Sequence, residues 1–360
     1  MKILNIIDIP WHSALAAYAF DQSAALAARG HEIYFAAAED SASAAFALKN
    51  KFSLTIIPSR KSIMIIGTVL KLKRLIENEG IDVVNAHTGK GQTLAWIVSM
   101  MSARPFAIIR TKADAKRPRN SFALGKTAVV IAGSKIIKKM YTEAGIDPAK
   151  VEVVYQCIAA QPKAPAVSSS PLKVGILGRL DPVKGHACFI EAAALVLKKV
   201  QAVEFLIAGR EESVKYPSLE ARARELGIAE KIKYMKHVPD SAAFIRFCDI
   251  GVIASISSEA VSRAALEWLA AGKPLLATAV GSLPEFVSPE CLVPPQNPEA
   301  MAEALLKLLK SPEIRLELGA QNRNRALKDF DQARFTEQTS FLFESAAACI
   351  GDCGDVPPTP

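Results

Sequence analysis

The sequence predicts an α/β protein of two Rossmann-like domains, each a parallel sheet covered by helices on both faces. Three observations carry that expectation. Short apolar runs alternate with helical segments along the chain, the order that strand–helix–strand crossovers leave in a parallel sheet. Runs such as Ile250–Ala254 are apolar throughout instead of alternating, as strands buried on both faces have to be. The chain has 360 residues, half of them hydrophobic, which is enough for two cores of ordinary size.

Taken in order, the first half supplies expected strands at Ile3–Ile7, Ile33–Ala37, Leu54–Ile57, Val83–Ala86, Phe106–Ile109, Val129–Ala132 and Val151–Val154. Helices are expected between them at Leu15–Ala28, Thr68–Glu79, Gln92–Met101 and Lys135–Ala144. Gly30 stands where the first helix should end, because glycine closes a helix in the left-handed conformation at least cost. This first domain spans 1–165. The stretch Gln161 to Pro171, rich in Pro, Ala and Ser, reads as the linker.

The second domain spans 172–330 and opens with a strand from Val174 that stops at Gly178. Further strands are expected at Phe205–Ala208, from Ile232 towards Val238, at Ile250–Ala254 and at Leu275–Thr278. A helix from about Ala260 to Ala271 is stopped by Gly272 with Lys273-Pro274 beyond it. Helices Pro298–Leu309 and Pro312–Lys328 follow, then a last one over 331–349. The Pro-rich tail, 350–360, is expected to be disordered.

Charge and cysteine usage narrow the function classes. The net charge is +8, but residues 1–165 hold 22 Lys and Arg against 12 Asp and Glu, net +10, and residues 166–360 hold 22 against 24, net −2. A basic first half suits nucleic acid, an anionic membrane or an acidic substrate. No helix-turn-helix, zinc-finger or aromatic RNA-binding signature accompanies it, so the expectation is a membrane surface or anionic glycolipid and no nucleic acid. The six cysteines (157, 188, 248, 291, 349, 353) lack paired metal-ligand spacing. No apolar run reaches the roughly 18–20 residues of a membrane-spanning helix, and Asp8 and Pro10 interrupt any leader-like apolar segment at the start. The expected location is a reducing cytoplasm, with peripheral contact on the cytoplasmic face of the inner membrane.

In open parallel sheets ligands sit beyond the C-terminal ends of the strands. Four stretches place chemistry there. His87 follows the strand Val83–Ala86. Arg110-Thr111-Lys112 and Lys116-Arg117-Pro118-Arg119 follow Phe106–Ile109, and read either as a solvated basic surface or as a clamp for a phosphorylated or carboxylated acceptor. Ser134 follows Val129–Ala132 and precedes a helix, as an N-cap does. In Gly178-Arg179-Leu180-Asp181-Pro182-Val183-Lys184-Gly185, glycine lets backbone approach a ligand and two cations five apart can neutralise a diphosphate.

The most informative stretch runs from Ile250 to Val287: a strand, a Ser-rich turn, Glu259, a helix carrying Glu267, a second strand, then Gly281-Ser282-Leu283-Pro284-Glu285. Glu259 is expected at the helix mouth, where spare N–H groups favour a phosphate or sugar oxygen, and Glu267 two turns deeper on the same face. Taken alone, two glutamates on an amphipathic helix can equally be solvated surface groups. The surrounding residues resemble the donor-binding signature of retaining GT-B glycosyltransferases of family 4 (glycosyl transferases group 1), S-E-G-x-S-R-x-x-x-E-A-M-A-x-G-x-P-V-x-A-T-x-V-G-G-x-P-E. The matches are Ser258-Glu259, Ser262-Arg263, Glu267, Ala270, Gly272, Pro274, Ala277-Thr278, Val280-Gly281 and Pro284-Glu285. The loop from Gly178 to Gly185 resembles the family's G-R-L-x-x-x-K-G without a gap, and Val83 to His87 its D-V-V-H-A-H.

That resemblance implies the GT-B fold: two Rossmann-like domains facing a central cleft, acceptor on the first, donor on the second, with the last helix crossing back to the first domain. It implies transfer of a sugar from a UDP-, GDP- or ADP-sugar to a glycan or glycolipid acceptor, with retention and with no metal or cofactor required. Arg179 and Lys184 would hold the diphosphate, Glu259 the transferred sugar and Glu267 the ribose hydroxyls. Main-chain N–H groups of Ala260, Val261 and Ser262 would face the phosphate or sugar, Val238 would pair with the base edge, and His87 would be counted with Arg179, Lys184 and Glu259 among the catalytic residues. A bacterial surface-glycan pathway such as lipopolysaccharide synthesis would fit. The first half departs from the pattern: Asp8 to Ala14 lacks the usual Gly-Gly, and Thr111-Lys112-Ala113-Asp114 replaces Thr-x-His-Gly. Those departures leave open a second reading, a non-catalytic GT-B subunit that binds a partner.

Overall fold

The computed structural model describes every residue except 12, 60–64, 119–121, 160–169, 237, 239 and 352–360, so most of the expected linker and nearly all of the tail lie outside the described residues. The chain forms two compact units, Met1–Cys157 together with the helix that begins at Gln332, and Ile158–Asp331.

Among the described residues the first unit holds seven strands: β1 (Lys2–Ile7), β2 (Glu32–Ala37), β3 (Ser53–Ile56), β4 (Val83–Ala86), β5 (Ala107–Lys112), β6 (Val129–Ala132) and β7 (Val151–Val153). They form one parallel sheet in the order β3-β2-β1-β4-β5-β6-β7. Helices α1 (Ala14–Ala28), α2 (Ala42–Lys49), α3 (Ile65–Glu79), α4 (Gly89–Met101), α5 (Phe122–Gly125) and α6 (Lys135–Glu143) connect them. The hydroxyls of Ser13, Ser41 and Thr88 accept from the N–H groups of Ala16, Ala44 and Gly91, and so start α1, α2 and α4. One core joins Leu4, Ile6, Val84 and Ile108 of the sheet to Leu72 and Ile76 of α3 and Leu94 and Val98 of α4. The buried positions of α3, Thr68, Val69, Leu72 and Ile76, recur at three and four residues, the spacing of one helix face.

The second unit holds β8 (Leu172–Leu177), β9 (Val203–Ala208), β10 (Ile232–Met235), β11 (Ile250–Ile253), β12 (Leu275–Thr278) and β13 (Leu292–Val293), parallel and ordered β10-β9-β8-β11-β12-β13. Its helices are α7 (His186–Leu197), α8 (Tyr216–Glu225), α9 (Ser241–Phe247), α10 (Arg263–Ala270), α11 (Leu283–Phe286), α12 (Pro298–Lys310) and α13 (Pro312–Asp329).

The last helix, α14 (Gln332–Gly351), belongs to the first unit. Phe335 meets Tyr18 of α1 edge-on, ring centroids 5.6 Å apart, and Ser340 Oγ lies 3.3 Å from His31 Nε2.

Two expectations are corrected. The strand expected at Phe106–Ile109 continues to Lys112, so Arg110, Thr111 and Lys112 are buried within β5 and not part of a solvated basic loop. Tertiary partners make that possible: Arg110 donates to the carbonyl of Ala86 at 2.9 Å, and Lys112 Nζ sits 2.5 Å from Asp114 Oδ1. The helix expected from Ala260 begins three residues later, at Arg263.

Strand order reverses once in each sheet, between β1 and β4 and between β8 and β11. Such switch points are where the loops diverge and leave room for a ligand.

Candidate functional site

The switch point of the second sheet gathers two of the stretches singled out in the sequence, the loop from Gly178 to Gly185 and the turn that carries Glu259. Beyond β8 the chain passes Gly178 and the exposed Arg179, then makes a single 3₁₀ turn at Pro182–Lys184. Asp181 starts that turn by accepting the N–H of Val183 at 3.0 Å. Gly185 ends it with φ +71, and a Cβ there would lie 1.9 Å from the carbonyl oxygen of Ala254. Only glycine lets the loop lie this close to the end of β11. The N–H of Ile256 donates to the carbonyl of Val183 at 2.8 Å and ties the two loops together.

This approach delivers Lys184 Nζ to Glu259 Oε1 at 2.5 Å, and the same oxygen accepts from Ser255 Oγ at 2.6 Å. Glu259 is buried, so its charge needs these partners. Its carbonyl is fixed from the other side by Ser282, through N–H at 2.6 Å and Oγ at 2.9 Å. Thr278 Oγ1 donates to the carbonyl of Ser255 at 2.6 Å. Ser255, Thr278, Gly281 and Ser282 are therefore the supports of the glutamate. Thr278 and Gly281 match letters of the signature, Ser282 stands beside them and Ser255 belongs to the Ser-rich turn, none with that role assigned from sequence; the signal was that all four close or follow an expected strand, as Glu259 does.

Glu267 is placed differently from expectation. Residues 256–262 are not helical, with Ser258 at φ +69, so the eight-residue step from Glu259 to Glu267 is not two turns of one helix. Glu267 lies on α10, where Arg263 Nε reaches its carboxylate at 3.4 Å. Burial pushes its pKa up, against the pull of Arg263 and of a hydrogen bond from Ser241. Ala260, Val261 and Ser262 are buried in the turn that precedes α10. Val238 follows β10 and is half-buried.

His87 lies in the other unit, fully buried just past β4. Its Nε2 is 3.0 Å from both Asn5 Oδ1 and Asn85 Nδ2, and Asn85 also donates to Gln22 Oε1 at 2.8 Å. Burial, with Arg110 nearby, holds its pKa down at about 3, so the ring is neutral. Ser134 occupies the N-cap position of α6, with its hydroxyl making no capping bond. Burial lowers the pKa of Lys112 to about 8, in spite of Asp114 beside it.

Residues 15–161 match the family model described as Glycosyltransferase Family 4, and residues 171–311 that of Glycosyl transferases group 1. Two glycosyltransferase family models thus match, one on each half of the chain. Among curated relatives, an MMP alpha-(1->4)-mannosyltransferase of Mycolicibacterium hassiacum is 31% identical over 178 residues, 48% of this chain and 42% of that protein. A D-inositol 3-phosphate glycosyltransferase of Corynebacterium glutamicum is 30% identical over 49% of this chain and 44% of its own length. The chain thus spans about half or less of these relatives. Whole-chain likeness comes from solved structures: a glycosyltransferase of Rickettsia africae (TM-score 0.83, 17% identity, 96% of this chain and 98% of that one) and Anabaena HepE in complex with UDP (0.80, 18%, 96% and 100%). With the two parallel sheets described above, they establish the GT-B fold.

Proposed function

We propose that this chain is a retaining, metal-independent glycosyltransferase that moves a sugar from a nucleotide-diphosphate sugar to a glycan or glycolipid acceptor, in bacterial cell-surface polysaccharide or lipopolysaccharide synthesis. The observation that carries this reading is the contact of Lys184 with Glu259 at 2.5 Å. It joins the cationic loop and the Ser-Glu turn, far apart in sequence, at the strand-order reversal of one sheet.

In this reading Arg179 and Lys184 neutralise the diphosphate and the charge that builds on the departing nucleotide. Glu259 faces the transferred sugar and the N–H groups of Ala260, Val261 and Ser262 face the phosphate or sugar. Glu267 accepts from the ribose hydroxyls, and the main chain at Val238 meets the base edge. UDP stands first among UDP, GDP and ADP because HepE was solved with UDP and with UDP-glucose. The acceptor is assigned to the first unit, where the neutral His87 serves as a hydrogen-bonding group. A lipopolysaccharide outer core galactosyltransferase, WaaB, shares the fold (TM-score 0.76, 15% identity, 96% of this chain and 99% of that one), and supports the pathway only through that likeness.

The basic charge of the first half favours an anionic acceptor, and peripheral contact with anionic lipid on the cytoplasmic face of the inner membrane. The surface of α3 offers the contact: Ile66 and Leu70 are exposed one turn apart, with Lys71 and Arg74 beside them. Among the described residues no helix is long and apolar enough to cross a membrane. Equal binding to neutral and anionic vesicles would remove the membrane part of the proposal.

The donor part is tested by thermal stabilisation with UDP, GDP, ADP and their sugars. A selective shift in the native chain that disappears in Arg179→Ala and in Glu267→Ala supports it. Absence of a shift with every nucleotide overturns it in favour of a non-catalytic subunit.

A further inference from the structure

Two buried cations stand on one face of β5 and share a single carboxylate. Arg110 and Lys112 are each 3% exposed, and as alternate residues of a strand they point to the same side of the first sheet. Lys112 Nζ is met by Asp114 Oδ1 at 2.5 Å. Arg110 has only uncharged partners among the described residues: its Nε donates to the hydroxyl of Tyr141 at 3.3 Å and its Nη1 to the carbonyl of Ala86 at 2.9 Å.

Arginine and lysine are rarely buried unpaired, because an ion that gives up its hydration needs an opposite charge in its place. Here two positive charges face one negative. Lys112 registers the crowding: burial brings its pKa down to about 8 against the pull of Asp114, and Arg110 and Lys116 lower it further.

Arg110 also has donors to spare. A guanidinium carries five N–H donors, and only Nε and Nη1 are engaged. Nη2 bonds to nothing, and it is not enclosed without a partner as Nδ1 of His87 is, so solvent reaches it.

The bond to Ala86 sets the guanidinium at the end of β4, close enough to His87 to help lower its pKa. This is the C-terminal edge of the first sheet, next to the reversal of strand order between β1 and β4, where ligands of parallel sheets sit. It is also where the sequence departs from Thr-x-His-Gly, with Thr111-Lys112-Ala113-Asp114 in its place.

We propose that Arg110 and Lys112 form the seat of an oxyanion, a phosphate or carboxylate group carried by the acceptor. Such a group accepts charge-assisted hydrogen bonds from the free Nη2 edge and supplies the negative charge that Asp114 alone does not. Its assignment to the acceptor rests on the reading that the acceptor sits on the first unit; the anion seat itself does not.

The experiment is hydrogen exchange of the full chain in potassium phosphate, potassium acetate and potassium chloride at equal ionic strength, without nucleotide. Phosphate or acetate should slow exchange in peptides from β4 and β5 relative to chloride, about tenfold when the anion exceeds its Kd about tenfold. Whichever anion protects names the group. Arg179→Ala removes a cation of the other unit and should leave this protection in place. Arg110→Gln should abolish it. Lys112→Met leaves Arg110 and Asp114 in balance and should weaken binding about tenfold, the worth of one charge-assisted hydrogen bond. Protection by neither anion, protection that survives in Arg110→Gln, or protection undiminished in Lys112→Met would each overturn the proposal. A nucleotide shift without anion protection keeps the transferase reading and removes the seat. Anion protection without any nucleotide shift keeps the seat and removes its assignment to a glycosyl acceptor.

Discussion

The carbonyl oxygen of Glu259 lies where a side chain on Gly281 would begin: a Cβ built on Gly281, whose φ is +56, would stand 2.2 Å from it. The neighbouring Ser282 holds that oxygen through both N–H and hydroxyl. The Gly-Ser pair thus sets where Glu259 stands, from a loop more than twenty residues downstream.

Gly281→Ala should therefore act on the glutamate without touching its side chain. The added carbon meets backbone, which yields far less than a flexible side chain, so a loss of about 1–3 kcal/mol is expected in urea unfolding. If nucleotide stabilises the native chain, the same variant should lose most of that stabilisation. Full stability with unchanged nucleotide response would show that the loop relaxes freely and that the close approach is incidental.

Lys184 and Glu259 should couple strongly, because Glu259 is buried and Lys184 is largely enclosed. Lys184→Met leaves a buried carboxylate with Ser255 alone and should cost about 1–3 kcal/mol. Glu259→Gln in that background should restore part of the loss, giving a favourable coupling in the double-mutant cycle measured by urea unfolding. Additive losses would mean that the two groups part in solution.

How far this was legible in the sequence depends on the range of the forces involved. The runs at β1, β4, β8, β11 and β12 declared themselves, because burial on both faces makes them mostly apolar and removes the alternation of a half-exposed strand. The extension of β5 through Arg110 and Lys112 did not, because two cations read as surface until Ala86, Tyr141 and Asp114 stand beside them. The Ala-rich α2 was passed over, since Ala42–Lys49 has little polar contrast to show a helical period. The late start of α10 follows from the turn through Ser258, whose positive φ no periodicity reveals. At the candidate site, Arg179, Lys184, Glu259 and Glu267 could be named from motif spacing. The grip of Ser282 on Glu259 joins loops after β11 and β12, and only the folded sheet brings them together.

Acid should weaken both units through two buried histidines. Burial keeps His87 neutral to about pH 3 and His186 to about pH 4, whereas unfolded imidazoles protonate near 6.5. Between those values the unfolded chain binds more protons, so stability is full above about pH 6.5 and falls as pH drops. From pH 7 to pH 5, each histidine should account for up to about 2 kcal/mol of that fall. Urea unfolding at both pH values, followed separately for each unit, measures it. His87→Gln should flatten the dependence of the first unit and His186→Phe that of the second. Unaltered slopes would mean that the imidazoles reach protons in the folded state.

The last helix should be structurally inseparable from the first half of the chain. Phe335 is 2% exposed and meets Tyr18, whose hydroxyl donates to the carbonyl of Val154 at 2.7 Å. That chain of contacts joins α14, α1 and the segment after β7. Phe335→Ala removes a buried ring from it and should cost about 3–5 kcal/mol. Because α14 belongs to the first unit, the loss should fall on the transition of Met1–Cys157 and spare that of Ile158–Asp331. Hydrogen exchange read on peptides from β1 and β8 separates the two. Faster exchange confined to the β1 peptides is the expected result. Equal acceleration in both would mean that the units unfold as one, and no acceleration in either would mean that α14 is dispensable to the sheet it covers.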